Sequence, residues 1–153
     1  MTDIVDKTTR SRMMAGIRGK NTQPELVIRR FLHASGFRYR LHDRKLAGKP
    51  DIVLPKYRAA IFVHGCFWHR HVGCKYATSP DQNREKWQEK FTVNIERDQR
   101  NIRLLLEHKW RVIVIWECGI RHENSDFLWL TNEITHGCKE YVEWPSCQQI
   151  ATT

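Results

Sequence analysis

One stretch of nine residues, CFWHRHVGC, is dense in side chains that bind transition metals. Cys66, His71 and Cys74 fall within it, and Cys118 directly follows a later apolar run. Three thiolates and one imidazole are the ligand set of a closed, tetrahedral structural zinc site. His69 also lies in the stretch, and the spacing alone leaves open which histidine is the ligand. Buried free cysteines are the alternative, although the stretch has too few aliphatic side chains to be held by packing.

Two carboxylates and two histidines outside that set suggest hydrolytic chemistry. Asp51 follows a proline at the start of a strand, where a carboxylate can hold a divalent cation against a phosphate, although an isolated Pro-Asp pair is more often a turn. Asp98 interrupts the apolar stripe of a helix and needs a partner there, either a salt bridge or a catalytic histidine. His64 ends a strand, at the edge where α/β sheets usually carry their sites. His69, when it does not bind zinc, is a candidate general base.

Aromatic side chains adjoin the same stretch. Phe67 and Trp68 are adjacent in a polar segment, and Trp87 opens a long helical segment. Core packing is the ordinary role of such residues. In a basic protein, however, exposed aromatic pairs are suited to stacking on bases or wedging between them.

The elements that must position these residues follow from apolar runs and turn residues. Their order, α-β-β-β-α-β-α, predicts a single α/β domain with a central mixed sheet flanked by helices. The two strands that flank the long helix are expected to be parallel, because a helix connects them. The predicted elements are a short basic helix at 8–18, a helix from the capping box Thr22–Glu25 to Gly36, strands at 38–41, 51–54, 59–64 and 111–116, and helices at about 83–107 and 125–135.

Two periodicities assign faces within these elements. Strand 59–64 places Ala60, Phe62 and His64 on one side of the sheet. The long helix carries a stripe expected to face the core, formed by Phe91, Ile95, Asp98, Ile102 and Leu105. Residues 1–20 are expected to form an N-terminal arm that binds DNA, and residues 140–153 are left as a tail without a predicted structure.

Charge points to a polyanionic partner. The net charge is +9, and residues 1–50 hold 12 basic and 4 acidic side chains against 14 and 13 in the remainder. Such segregation is typical of nucleic-acid binding. The five cysteines and the lack of a secretory signal favour a cytoplasmic protein without disulfides, in which Cys138 and Cys147 bind no metal. No apolar run is long enough to span a membrane, and we expect a monomer.

Five segments together resemble one family, the very-short-patch mismatch repair endonucleases (Vsr). They are DKTTRSRMM, GKPD, IFVHGCFWHRH, NIERDQR and RVIVIWEC, in chain order between residues 6 and 118. The resemblance implies a restriction-endonuclease-like variant of the PD-(D/E)xK fold. It also implies an enzyme that nicks duplex DNA 5′ of the thymine in T:G mispairs, which arise when 5-methylcytosine deaminates. MutL and a DNA polymerase are the partners that it implies.

The resemblance also assigns roles to individual residues. Asp51 and the carbonyl of Val63 would hold Mg²⁺, with His69 and Asp98 as further catalytic residues. His64 and Phe62 stand where the superfamily usually has a lysine and an acid, and Glu25 would be a second acid near the site. The implied structural zinc ligands are Cys66, His71, Cys74 and Cys118, with one extra residue before Cys74. The implied intercalating side chains are Phe67, Trp68 and Trp87 from the major groove and Met14 from the minor groove.

Two alternatives remain open at this point. One is a zinc-stabilised DNA-binding protein without catalysis, in which Asp51 and Asp98 are structural. The other is a restriction-type nicking enzyme with no requirement for a mismatch. The first predicts binding without a Mg²⁺-dependent product, and the second predicts equal cleavage of matched and T:G duplexes.

Overall fold

A computed structural model describes residues 21–121 and 126–146 of the 153-residue chain. Met14, the rest of the predicted arm and Cys147 lie outside the described residues. Within that part of the chain, none of the helices combines the length and apolarity needed to cross a membrane.

The elements form one α/β domain around a five-stranded mixed sheet in the order β1-β2-β3-β4-β5. The first three strands are antiparallel neighbours, and β4 is parallel to both β3 and β5. The elements are α1 (Gln23–Ala34), β1 (Arg40–Leu41), β2 (Ile52–Leu54), a 3-10 turn (Pro55–Tyr57), β3 (Ala59–His64), α2 (Arg84–Glu107), β4 (Arg111–Trp116), α3 (Glu117–Ile120), α4 (Leu128–His136) and β5 (Tyr141–Trp144).

The capping box at the start of α1 forms as predicted. The hydroxyl of Thr22 accepts a hydrogen bond from the backbone N–H of Glu25 at 3.4 Å. The Glu25 carboxylate in turn accepts from the backbone N–H of Asn21 at 3.0 Å. The first bond satisfies a helix N–H group that would otherwise lack a partner, and the second ties the residue before the N-cap to the first turn. They also restrict the position of the buried Glu25 side chain.

The sheet separates two apolar layers. Alternation along β3 sends Ile61 to the layer under α1 and α4, and sends Ala60 and Phe62 to the layer under α2. Cys66 and Cys118 belong to the second layer. The predicted faces of this strand are therefore confirmed, and the metal-ligand stretch lies on the α2 side.

Two details of the sequence interpretation were wrong or incomplete. Phe91 and Leu105 of the helical stripe are buried, but Ile95 is 36% exposed. Near Ile95, α2 packs against the polar loop that follows β3 rather than against the sheet. The side chain of Asn94 donates a hydrogen bond to the carbonyl of Trp68 in that loop. The segment left without a predicted structure contains β5, which pairs with β4 from Tyr141 to Trp144.

Candidate active site

Parallel pairing of β3 and β4 helps to bring together the four residues that were predicted to bind zinc. We call this group, Cys66, His71, Cys74 and Cys118, the zinc-type cluster. His64 pairs with Trp116, so the chain leaves both strands at the same sheet edge, with Cys66 and Cys118 each two residues further on. The loop then turns back, with the His71 N–H donating to the Cys66 carbonyl at 3.1 Å. The His71 ring stacks on Trp116 at a centroid distance of 4.3 Å. This arrangement aims His71, and not His69, at the thiols.

The geometry of this cluster fits a tetrahedral zinc ion. His71 Nδ1 lies 3.8 Å from Cys66 Sγ and 3.5 Å from Cys118 Sγ. With bonds of 2.0–2.3 Å, the ligands of one tetrahedral ion are separated by about 3.6 Å. One ligand atom from each of the four residues, Cys74 included, lies within 4.8 Å of the others. Burial raises the pKa of Cys66 above its usual range and that of Cys118 to about 11, so thiolates form here most readily when a cation compensates their charge.

Asp98 has the partner that its position requires. Its Oδ2 lies 2.6 Å from His69 Nδ1, and both side chains remain partly exposed. The His69 ring lies parallel to that of His64, with centroids 3.9 Å apart. Burial, followed by the neighbouring charges of His69 and Arg97, lowers the pKa of His64, which is therefore neutral. The sequence-predicted residues Asp98, His69 and His64 thus form one contiguous group.

Asp51 lies in a second group with Glu25. The backbone N–H of Val63 donates to Asp51 Oδ2 at 2.7 Å, so the observed contact between these residues involves the amide N–H of Val63. Burial and the nearby Glu25 charge raise the pKa of Asp51 to about 7. Two carboxylates that share a buried site are destabilised without a cation, so this pair fits a divalent metal.

His42 completes the second group and was missed by the sequence interpretation. Its Nε2 lies 3.2 Å from Glu25 Oε2 and 3.9 Å from Asp51 Oδ1. The LHD segment that contains it has no metal-ligand spacing, and only its position directly after an edge strand could have drawn attention to it.

Both groups open into one cleft of about 1540 Å³. Asp51 and His69 line the same cavity, as the catalytic roles that the resemblance implies for both would require. The loop before β2 lies close against α2 at Gly48, where an added Cβ would be 2.9 Å from Asn101 Cβ and φ is +75°. The cationic side chains that line the cleft are Arg44, Lys49, Arg97, Arg100 and Arg121.

The aromatic residues next to the zinc-type cluster pack on one another. Phe67 contacts Trp68 and Trp87 at centroid distances of 5.0 and 5.5 Å, and Phe91 lies beneath them at 5.3 Å from Phe67. The Arg70 guanidinium lies 4.0 Å over the Phe91 ring. Phe67, Trp68 and Trp87 are only partly buried, and the first two line the cleft.

Comparison with known proteins decides the family. A family model described as "DNA mismatch endonuclease Vsr" matches residues 2–75. The chain is also 40% identical over 143 residues to the DNA mismatch endonuclease Vsr of Escherichia coli K12, covering 93% of this chain and 88% of that protein. The chain belongs to the Vsr family.

Two further relatives of this Vsr-family endonuclease are described as nicking enzymes. It is 46% identical over 123 residues to the type II nicking enzyme V.NmeAIP of Neisseria meningitidis serogroup A, covering 80% of this chain and 87% of that protein. It is 45% identical over 120 residues to V.XorIIP of Xanthomonas oryzae pv. oryzae, covering 78% and 88%. The α/β fold and the Cys/His cluster agree with membership of the Vsr family.

Proposed function

We propose that this DNA mismatch endonuclease nicks duplex DNA on the 5′ side of the thymine in T:G mispairs left by deamination of 5-methylcytosine. The product would initiate very-short-patch repair. The observation that supports this most directly is the convergence of Asp51 and the His69–Asp98 pair on one cationic cleft. A cleft of this kind combines a cation site, a base and phosphate-binding side chains, which phosphodiester hydrolysis requires.

His69 is the proposed general base. Its Nδ1 is 2.6 Å from the Asp98 carboxylate, so the tautomer with Nδ1–H donating to Asp98 leaves Nε2 able to take a proton from the attacking water. Asp98 orients the ring and stabilises the imidazolium that forms. The stacked, neutral His64 supports the ring from its other face without adding positive charge.

Asp51 Oδ1 and the Val63 carbonyl would hold Mg²⁺, with Glu25 as a further anion nearby. Asp51 Oδ2 is already occupied by the Val63 N–H, which orients the carboxylate and leaves Oδ1 for a metal. When bound, Mg²⁺ supplies Lewis-acid polarisation of the scissile phosphate and stabilisation of the leaving 3′-oxygen.

Zinc bound by Cys66, His71, Cys74 and Cys118 would have a structural role. All four positions of a tetrahedral site would be filled by protein, which leaves none for water. The loop held in this way carries His69, Phe67 and Trp68, so its rigidity would position both the base and the aromatic residues.

Discrimination of the mismatch is assigned to the aromatic residues. T:G mispairs cost less to separate than Watson–Crick pairs, so Phe67, Trp68 and Trp87 would insert preferentially at the mismatch. Met14 would act from the minor groove, although it lies outside the described residues. MutL and a DNA polymerase as partners, a monomeric state and a cytoplasmic location remain predictions that accompany this function.

The second candidate function is a restriction-type nicking activity without a mismatch requirement. It is favoured by the two relatives that are described as type II nicking enzymes. A non-catalytic DNA-binding role has no such support, because the family is one of endonucleases.

A strand-labelled nicking assay separates these functions. Duplexes with a T:G pair and with the matched C:G pair are incubated with Mg²⁺ or EDTA, with the His69→Ala protein purified in parallel as the control for contaminating nucleases. We expect a single nick 5′ of the thymine, in the T:G duplex only and with Mg²⁺ only. Equal nicking of both duplexes would support the restriction-type function, and binding without any product would support the non-catalytic one.

A further inference from the structure

His42 is held beside Asp51 by the backbone of both residues. It directly follows β1, adopts a left-handed conformation with φ +47°, and its N–H donates to the Asp51 carbonyl at 3.3 Å. A positive φ is uncommon for a residue with a side chain. The bond across the end of the β1–β2 pair therefore keeps the His42 side chain next to the carboxylate group.

The imidazole of His42 faces the two carboxylates through one nitrogen. Nε2 is 3.2 Å from Glu25 Oε2 and 3.9 Å from Asp51 Oδ1, and the side chain is 22% exposed on the cleft. Ligand atoms on one six-coordinate cation are separated by roughly 3 to 4.3 Å, given bonds of about 2.1 Å. Both distances fall within that range, so one cation can contact all three side chains.

This nitrogen lies between a carboxylate and a guanidinium, which require opposite protonation states of it. Contact with the Glu25 carboxylate requires a proton on Nε2, whereas Arg29 Nη2, 3.4 Å away, can only donate and therefore requires a lone pair there. The Glu25 Oε2 atom also accepts from Arg29 and from the backbone of Asn21, so it is well supplied with donors without His42. An Nε2 lone pair at this place can therefore either accept from Arg29 or bind a cation held between Glu25 and Asp51.

We propose that His42 supplies a nitrogen ligand to the divalent-cation site of Asp51 and Glu25, and that this ligand makes the site favour Mn²⁺ over Mg²⁺. Mg²⁺ binds almost entirely through oxygen, whereas first-row transition metals also accept imidazole. The inference rests on the proposed function for the location of the cation site. It goes beyond that function by naming a ligand and a class of preferred cation.

The test measures binding of the metal alone to the protein with its zinc-type cluster loaded and no DNA present. Mn²⁺ is the probe because it has the lowest affinity of the divalent first-row series and leaves thiolate-bound zinc in place. Mn²⁺ affinity is measured by electron paramagnetic resonance and Mg²⁺ affinity by calorimetry, for the wild type, His42→Gln and His42→Ala. His33→Gln is the matched control, because His33 is an exposed histidine near the end of α1.

We expect both His42 variants to weaken Mn²⁺ binding about tenfold or more while changing Mg²⁺ binding about threefold or less, a difference set by ligand type. Spin-echo modulation from a directly bound imidazole nitrogen should be present in the wild type and in His33→Gln and lost in His42→Gln. Equal weakening of both cations, or a nitrogen signal that persists in His42→Gln, would overturn the proposal. Unchanged melting temperatures in the absence of added Mn²⁺ or Mg²⁺ verify that the variants are folded.

Failure of this inference and failure of the proposed function give different results. If Mn²⁺ and Mg²⁺ binding respond equally to the loss of His42 but T:G nicking is intact, His42 is no ligand and the function stands. If nitrogen ligation by His42 is seen but no T:G duplex is nicked, the cation site exists and the proposed function is wrong.

Discussion

The rings of His64 and His69 stack face to face, with an angle of 3° between their planes and their centroids 3.9 Å apart. His64 comes from the end of β3, and His69 from the loop that the zinc-type cluster closes. Burial lowers the pKa of His64, so a neutral ring supports the imidazole that is proposed to accept the proton. From this stack we expect His64 to have a positioning role that can be tested separately from proton transfer.

Replacing His64 distinguishes these roles. We expect His64→Ala to lower the single-turnover nicking rate about tenfold to a hundredfold, because the His69 ring loses its support, while DNA affinity is retained. His64→Phe keeps a ring to stack on and should recover much of the rate. If His64→Phe is as impaired as His64→Ala, the nitrogens of His64 act directly and the positioning role is contradicted.

The His69–Asp98 pair should dominate the rate. We expect His69→Ala to reduce nicking about 10²- to 10⁴-fold, the usual contribution of a general base. Asp98→Asn preserves an acceptor for His69 Nδ1–H but removes the charge that stabilises the imidazolium, so a smaller loss is expected. Binding of T:G duplexes, measured by fluorescence anisotropy, should change little in either variant. A His69→Ala enzyme with the wild-type rate would eliminate this residue as the base.

The carboxylate pair makes the Mg²⁺-free protein sensitive to pH. The pKa of Asp51 is raised to about 7, so the folded state holds a proton that the unfolded state has lost above about pH 4. The free energy of unfolding should therefore fall as pH rises from about 4 to 7, by about 1 kcal/mol per pH unit. Asp51→Asn keeps an acceptor for the Val63 N–H and should flatten this slope in urea titrations.

Addition of Mg²⁺ is the complementary measurement for Asp51. A cation that binds the folded state alone should restore stability near pH 7 in the wild type and not in Asp51→Asn. The variant should also fail to nick DNA while still binding it. A pH slope that is the same in both proteins would show that this carboxylate does not carry the buried proton.

The zinc-type cluster should control stability. We expect Cys118→Ser to lose bound zinc and to lower the melting temperature by about 10 °C, because metal binding contributes several kcal/mol to folding. Cys138→Ser is the matched control, since Cys138 is exposed and lies apart from the four ligand residues. Zinc content is measured by atomic emission. Equal zinc content in the two variants would contradict the assigned ligand set.

Trp68 should control discrimination between mismatched and matched DNA. Trp68→Ala removes a ring at the mouth of the cleft that is proposed to insert beside the mispair. We expect the ratio of T:G to C:G nicking to fall about tenfold, since stacking of one base on an aromatic ring contributes about 1–3 kcal/mol. Trp110→Ala, which removes a partly buried tryptophan that does not line the cleft, is the control. An unchanged ratio in Trp68→Ala would argue against the wedge.

Local patterns in the sequence were sufficient for most of the fold. The capping box at Thr22, the apolar runs of β3 and β4 and the length of α2 depend on interactions between near neighbours in the chain, and all three predictions were confirmed. β5 escaped prediction because a four-residue edge strand has little pattern of its own and forms by pairing with β4. Ile95 was misplaced because helical periodicity identifies a face of α2 without identifying what covers it.

The residues of the candidate site likewise fall into those that the sequence was sufficient to predict and those that only the structure brought together. Residue types and spacing were sufficient to predict a thiol–imidazole cluster, an acidic cation site and a base, because those chemistries need particular side chains. Spacing left open whether His71 or His69 joins the thiols, and the tertiary structure places His71 there, as the family resemblance implied. That His42 joins Asp51 was decided by the tertiary structure alone. Both choices depend on how strands far apart in the chain pair and which way a loop turns after them, and spacing along one segment carries no record of either.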